Sequence, residues 1–161
     1  MRTLGVLALT AVLATPAVGG AGRHDEHWSP AHSRTFGPWS RPVSLGPTVN
    51  TTAHDQTPSI SRDGLSMYFA SNRPGGVGVG FDLWVAQRLA IDLPWETPVN
   101  LGPTVNTPAN ENGPSLSADG RYLFFVSTRP GGPGLADLYM SRRTLSDSGY
   151  VWDTPVALSS L

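Results

Sequence analysis

Four aspartates recur at matched positions of the chain, and recurring carboxylates suit two kinds of chemistry, calcium binding and acid–base catalysis. Asp63 is repeated by Asp119 after 56 residues, and Asp82 by Asp137 after 55. Because both copies of the unit carry them, we interpret them as structural residues of a repeat. Asp63 and Asp119 each precede a glycine, which predicts that they initiate tight turns.

Two arginines recur in the same way and offer partners to the second aspartate pair. Arg73 and Arg129 each begin an Arg-Pro-Gly-Gly segment, and Asp82 and Asp137 follow the glycine-rich loop. We predict ion pairs across that loop, Asp82 with Arg73 and Asp137 with Arg129.

The best candidate for a ligand site is a polar segment that differs between the copies. Asn110-Glu111-Asn112 stands where the first copy has His54-Asp55-Gln56. Amide and carboxylate oxygens bind polar ligands and cations, so ligand contacts are predicted from five residues: His54, Asp55, Asn110, Glu111 and Asn112. A polar turn without a ligand is the alternative, because the segment lacks the alternating ligands, glycine and final glutamate of an EF-hand.

Other patterns that could carry chemistry fail on spacing or context. Gly76-Val-Gly-Val-Gly80 lacks the third glycine of a dinucleotide-binding fingerprint, since position 81 is Phe. No Gly-x-Ser-x-Gly elbow is present. His24, His27 and His32 are of a metal-binding type, but they lie in a predicted leader with no residues to orient them. We therefore predict no catalytic residue, no metal site and no cofactor.

Composition narrows the class of protein and of partner. The net charge is −1, from 11 basic and 12 acidic residues, so the chain has no basic stripe for nucleic acid. No cysteine is present, which excludes disulfides and thiolate metal sites. A charged content of 14% with 18 glycines and 15 prolines favours short strands joined by tight turns over a helical bundle.

The N-terminus has the pattern of a secretory signal peptide. Arg2 precedes an apolar run from Leu4 to Leu13, and small residues follow. Ten apolar residues are too few to cross a bilayer, which takes about 20. We predict a signal peptide over residues 1–21, a flexible leader over 22–38, and no transmembrane segment after cleavage. A short membrane tether is the alternative.

A repeat of 56 residues organises the rest of the chain. Residues 39–76 and 95–132 are identical at 22 of 38 positions without a gap, and such a period is typical of a stacked-repeat fold. The predicted units are 39–94 and 95–151, and a third copy begins at Trp152.

Within each unit the pattern predicts strands. Aromatic-rich runs such as 122–126 are bounded by turn residues and are typical of strands buried on both faces. A proline-bearing segment such as 95–101 belongs at a sheet edge, because proline cannot donate to a ladder. Four strands per unit predict a propeller blade. The predicted fold class is therefore all-β: a partial β-propeller of two four-stranded antiparallel blades, plus a flanking strand at 39–45.

The repeat resembles the WD40-like PD40 family, also described as TolB-like β-propeller repeats. The resemblance rests on Pro-Ser-[Ile/Leu]-Ser-x-Asp-Gly at 58–64 and 114–120, on Ser-x-Arg-Pro-Gly-Gly at 71–76 and 127–132, and on Asp-Leu-[Trp/Tyr]. It extends over about residues 39–158, and we assign 39–161 to such repeats. It implies a periplasmic or secreted protein that binds a protein or a cell-envelope component.

Two functional hypotheses follow. The first is an exported, non-catalytic binding module that acts through its loops, on a rigid scaffold. The alternative is a fragment or subunit of a glycan-active hydrolase or lyase with paired carboxylates such as Glu111 and Asp137. Two blades alone leave sheet faces without neighbours, so self-association, coverage of an edge by residues 39–45, and a remnant of a longer propeller all remain open.

Overall fold

The computed structural model describes residues 37–147 and 149–160. The chain divides into two units, 1–40 and 41–161, and of the first only residues 37–40 are described. The predicted signal peptide lies outside the described residues, as does the predicted leader except for residues 37 and 38. No helix among the described residues is long and apolar enough to cross a membrane.

The first blade is an antiparallel sheet of four strands in the order β1-β2-β3-β4. Its strands are β1 (Asp55–Ile60), β2 (Ser66–Ser71), β3 (Asp82–Gln87) and β4 (Val99–Asn100). A bulge at 57–58 interrupts the pairing of β1 with β2. Proline at 58 fits there, because a bulge needs no ladder donor.

The second blade repeats this order and adds one strand. Its strands are β5 (Glu111–Leu116), β6 (Tyr122–Ser127), β7 (Asp137–Ser146), β8 (Gly149–Trp152) and β9 (Val156–Ala157). β9 pairs with the first half of β7, as β4 pairs with β3, and β8 forms a hairpin with the second half of β7. A short 3-10 turn, Leu158–Ser160, follows.

The prediction of an all-β partial propeller with two antiparallel blades is confirmed, with two differences in detail. Residues 39–45 form no strand. A strand needs a partner edge, and β4 and β9, the later copies of the same segment, fill the outer edges of β3 and β7. The β7–β8 hairpin was not predicted, and it has no counterpart in the first blade.

The two blades pack face to face through side chains that alternate along the strands. Tyr68, Ala70 and Leu83 on one face of the first blade join Leu123 and Phe125 of the second in one apolar cluster. Successive strand residues point to opposite faces, so Met67, Phe69 and Trp84 form a separate cluster on the other face of the first blade, together with Val49. Each blade therefore has two apolar faces, as the aromatic runs predicted.

Candidate functional site

Asp63 and Asp119 lie in the turns that join the first two strands of each blade. The Asp63 carboxylate accepts hydrogen bonds from the Ser61 hydroxyl and from the Leu65 backbone N–H at 3.0 Å. Asp119 makes the same bonds with Ser117 and with the Arg121 N–H. The prediction that these aspartates initiate tight turns is confirmed.

Arg73 lies at the centre of a buried network in the first blade. Its guanidinium donates to the Asp55 carboxylate at 2.6 Å and to the Val49 carbonyl at 2.7 Å. It also donates to the Ser71 hydroxyl and lies over the Phe69 ring, 4.8 Å from the centroid. Arg73 therefore joins β1, the end of β2 and the segment before β1 that contains Val49.

The second blade builds the same network from equivalent residues. Arg129 donates to the Glu111 carboxylate at 3.2 Å, and also to the Val105 carbonyl and the Ser127 hydroxyl. Glu111 accepts from the Thr107 hydroxyl as well, and it is fully buried.

The predicted ion pairs of Arg73 with Asp82 and of Arg129 with Asp137 are therefore wrong. Ser71 pairs in register with Asp55 on one side and with Asp82 on the other, so both carboxylates lie one strand away from it. Arg73 bonds Asp55 and the Val49 carbonyl, whereas Asp82 accepts from other donors.

Asp82 and Asp137 instead hold the glycine-rich loops. The Asp82 carboxylate accepts from the Val77 backbone N–H and, at 2.8 Å, from the Asn100 side chain. Asp137 accepts from the Gly134 backbone N–H at 3.1 Å. Each aspartate contacts its own glycine-rich loop, and a structural role in the repeat stays a prediction.

The five residues predicted to bind a ligand are not gathered around an open site. Asp55 and Glu111 belong to the two arginine networks. The Asn110 side chain accepts from the Phe81 backbone N–H. The Asn112 side chain, on β5, accepts from the Gln56 side chain on β1 at 2.8 Å. The exposed His54 has its ring 6.4 Å from that of Phe81. The bonds of Asn110 and Asn112 join the two blades to each other. Ligand binding at the five predicted residues stays a prediction.

An open groove lies elsewhere, between the two blades at the end that carries the Asp-Gly turns. Three adjoining cavities of about 380, 350 and 440 Å³ share Arg143 as a lining residue. Asp63 and Asp119 line the first cavity together with Tyr68. The β7–β8 hairpin, through Tyr150 and Trp152, forms one wall of the second. We call this space the inter-blade groove.

Arg143 lies among aromatic rings at the centre of the inter-blade groove. Its guanidinium carbon is 4.8 Å from the centroid of the Tyr150 ring and 5.8 Å from that of Trp152. Trp152 in turn meets the Tyr68 ring edge-on at 6.1 Å. Arg143 forms no ion pair with any described residue, so its N–H donors remain available to a bound group.

Local contacts set the charge of the groove. Hydrogen bonds from the Ser61 hydroxyl and the Leu65 N–H lower the pKa of Asp63. Bonds from Ser117 and Arg121 lower the pKa of Asp119 in the same way. Burial raises the pKa of the Tyr68 phenol. At neutral pH the groove therefore presents the Asp63 and Asp119 carboxylates, the protonated Tyr68 phenol and the guanidinium groups of three arginines, Arg62, Arg121 and Arg143.

Sequence reasoning missed Arg143, Tyr150 and the groove they form. Arg143 is equivalent to Arg88, whose guanidinium lies 4.3 Å from the centroid of the Trp95 ring. Tyr150, however, lies in a hairpin that only the second copy has. The sequence signal that could have indicated the groove is Tyr150, an aromatic residue of the second copy alone, close in sequence to the repeated Arg143.

Carboxylates can also bind metal ions or catalyse hydrolysis. No group of three or more histidine, aspartate and glutamate side chains with metal-binding geometry occurs within residues 37–147 and 149–160. Glu111 and Asp137, suggested as a hydrolytic pair, both lie opposite Ser127 on strands that flank β6. Because Glu111 is fully buried and bound to Arg129, Ser127 and Thr107, substrate cannot reach its carboxylate.

Comparison with known proteins gives a distant structural neighbour. No protein-family model matches the chain, and no curated protein matches it. Among solved structures, the chain is similar to TolB from Acinetobacter baumannii, with 17% sequence identity over 60% of this chain and a TM-score of 0.37. The chain spans 20% of the length of that TolB chain. The all-β blade architecture stands on the two sheets described above, and membership of the PD40 repeat family stays a prediction.

Proposed function

We propose that this chain is an exported, non-catalytic binding module that holds an extended part of a protein or cell-envelope component in the inter-blade groove. The observation that carries this proposal is the guanidinium of Arg143, which forms no ion pair with any described residue and lies between aromatic rings in an open cleft. Concave sites lined by aromatic side chains with a few polar groups are typical of ligand binding.

The groups in the groove complement a ligand that has both apolar faces and hydrogen-bonding edges. The planar guanidinium of Arg143 offers up to five donors to carbonyl, carboxylate or hydroxyl oxygens. Tyr150 and Trp152 offer flat surfaces for apolar contact. Asp63 and Asp119 accept hydrogen bonds at one end. Peptide segments and glycan chains both combine these features.

The state of the carboxylates favours binding over hydrolysis. A glycoside hydrolase needs one carboxylic acid with a raised pKa to protonate the leaving group. The lowered pKa values of Asp63 and Asp119 keep these groove carboxylates ionised at neutral pH, so they accept hydrogen bonds and do not donate protons.

The proposed site of action is the periplasm or the exterior of the cell. The support is the signal-peptide pattern of residues 1–21. Expression of the full chain in a bacterial host tests this part. We expect a product outside the cytoplasm that lacks about 21 N-terminal residues by mass spectrometry. A product that keeps its first residues, or stays in the cytoplasm, contradicts export.

Binding is tested with two probes, isolated peptidoglycan sacculi by co-sedimentation and detergent-extracted envelope proteins by cross-linking. We expect the wild-type chain to bind one of them, and Arg143→Glu to weaken that binding by about tenfold or more. Arg142→Glu is the matched control, because Arg142 is the exposed neighbour on the same strand and lines none of the three cavities.

Two results contradict the proposal. If the wild-type chain and Arg143→Glu bind equally well, the ligand binds outside the groove. Release of soluble fragments from the sacculi that increases with time and protein concentration supports the hydrolase alternative instead.

A further inference from the structure

Three residues at the start of the first blade are exposed although their equivalents in the second copy are covered. We call them the leading end: Asn50, Pro58 and Ile60. Their equivalents in the second copy are Asn106, Pro114 and Leu116. The latter are buried or packed against the apolar cluster between the blades. The first blade therefore carries a contact surface whose neighbour is missing among the described residues.

The far side of the second blade has the converse surface. We call it the trailing face: Phe124, Val126, Leu138 and Met140. Its equivalents on the first blade are Tyr68, Ala70, Leu83 and Val85, which pack against the second blade. The change in exposure is largest for the leucines, since Leu83 is 0% exposed and Leu138 is 55% exposed.

Asn106 indicates how two such surfaces join. Its side-chain oxygen accepts from the Leu83 backbone N–H at 2.8 Å, and its amide donates to the Leu83 carbonyl at 3.0 Å. Val105 beside it enters the cluster between the blades. The first copy has the same pair, Val49-Asn50, but the Asn50 side chain donates only to Ser44 among the described residues and is exposed.

We propose that a second copy of this chain binds head to tail, with its leading end on the trailing face of the first copy. Asn50 of one copy then bonds the backbone of Leu138 in the other, as Asn106 bonds Leu83 within one chain. Leu138 enters the cavity of about 70 Å³ that lies between Leu45, Val49 and Phe69.

A second copy is the occupant that the structure favours, because one molecule carries both halves of the contact. The contact between the two blades displays the geometry that joins them, and identical or similar residues recur on the leading end and the trailing face. Such a contact uses two different surfaces, so it is heterologous and forms a closed ring or an open chain, according to the rotation at each step. This inference does not depend on the proposed ligand groove.

The experiment measures the mass of the purified protein by light scattering from about 1 to about 200 µM, because association follows protein concentration. We expect masses that are integer multiples of the chain mass and that dissociate on dilution. Leu138→Arg and Asn50→Arg alter exposed side chains, so both variants should fold. We expect each to raise the dissociation constant by about tenfold or more. Val79→Arg is the control, since Val79 is exposed and lies on neither surface.

Mixing the two variants distinguishes the head-to-tail contact from a symmetric one. Each mixed pair retains one intact leading end and one intact trailing face, so we expect a one-to-one dimer and nothing larger. A wild-type chain that stays monomeric at the highest concentration overturns the proposal. Association unchanged by Leu138→Arg, or absence of the mixed dimer, overturns it as well.

Discussion

The two blades carry nearly the same residues but differ in what surrounds them. Glu111 lies in the second blade with its side chain fully enclosed, whereas Asp55 occupies the same place in the first blade with 10% of its side chain exposed. Asn106 is buried against β3, whereas Asn50 is exposed. In both cases a neighbouring blade covers the second copy, and no blade among residues 37–147 and 149–160 covers the first. The same motif therefore contributes differently to stability in the two places.

The largest difference is expected at the two arginine networks. Glu111→Ala removes a buried partner of Arg129 and should lower the free energy of unfolding by about 3–5 kcal/mol. Asp55→Ala should lower it by about 2 kcal/mol, because the site is less enclosed. Urea unfolding at neutral pH measures both. Arg121→Ala is the control, because Arg121 and Asp119 form an exposed ion pair with a nitrogen–oxygen distance of 4.0 Å. Its loss should change the free energy of unfolding little. Equal losses for Glu111→Ala and Asp55→Ala would contradict the comparison.

The asparagine pair gives the next largest contrast. Asn106→Ala leaves the Leu83 N–H without its partner and loses a bond to Asn100, so we expect a loss of about 2–3 kcal/mol. Asn50→Ala, measured at a concentration where the chain is monomeric, should change stability by less than about 0.5 kcal/mol. Thermal or urea unfolding of both variants checks this. A large loss for Asn50→Ala at low concentration means that its side chain is already engaged within one chain.

A pH dependence should come from the first network. Burial by itself raises the pKa of Asp55, but hydrogen bonds from Ser71, Thr51 and Arg73 outweigh it and lower the pKa to about 2, from an ordinary value of 3.8. Since the folded-state pKa is the lower one, ionised Asp55 contributes about 2 kcal/mol above about pH 4 and loses it as the pH falls toward 2.

The measurement for Asp55 is the free energy of unfolding between about pH 5 and pH 2, for the wild-type chain and for Asp55→Asn. Other carboxylates titrate in both proteins, so the difference between the two curves isolates Asp55. We expect that difference to shrink as the pH falls. Parallel curves would mean that Asp55 has no lowered pKa.

The smallest difference in stability is expected at the bulge in β1 and the equivalent bulge in β5. Thr57 has a φ of +51°, which is unusual for a branched residue, and its equivalent Gly113 has a φ of +59°. Gly113→Ala meets no atom within 4 Å, so its cost is the backbone conformation alone, about 1 kcal/mol.

Thr57→Gly should recover part of the same cost, because it also loses a long hydrogen bond of 3.3 Å from the Gly113 N–H. Calorimetric unfolding should therefore give shifts of opposite sign for the two variants. Shifts of the same sign would place the strain elsewhere.

Much of the fold followed from local pattern. Turn residues such as Asp63 bond their own neighbours, and the alternation along 66–71 and 122–127 sends side chains to two faces. Both features depend on residues close in sequence, and both occur in each copy of the repeat. The β7–β8 hairpin escaped prediction because it occurs once and pairs only four residues of each strand.

The candidate site was far less predictable, because its geometry depends on residues distant in sequence. Asp55 and Asp82 both lie opposite Ser71, and Arg73 bonds Asp55 together with the Val49 carbonyl, which lies 24 residues earlier in the chain. The groove around Arg143 exists only because the second blade packs on the first and brings its hairpin near Tyr68.

The sequence by itself determined the strands, the turns and the repeat, since these depend on backbone preferences and the period of apolar side chains. Only the tertiary structure decided which charged groups pair, and which copy of each motif is buried. The physical reason is that charge pairing and burial depend on what lies across the space between blades, and two equal segments of sequence have different neighbours there.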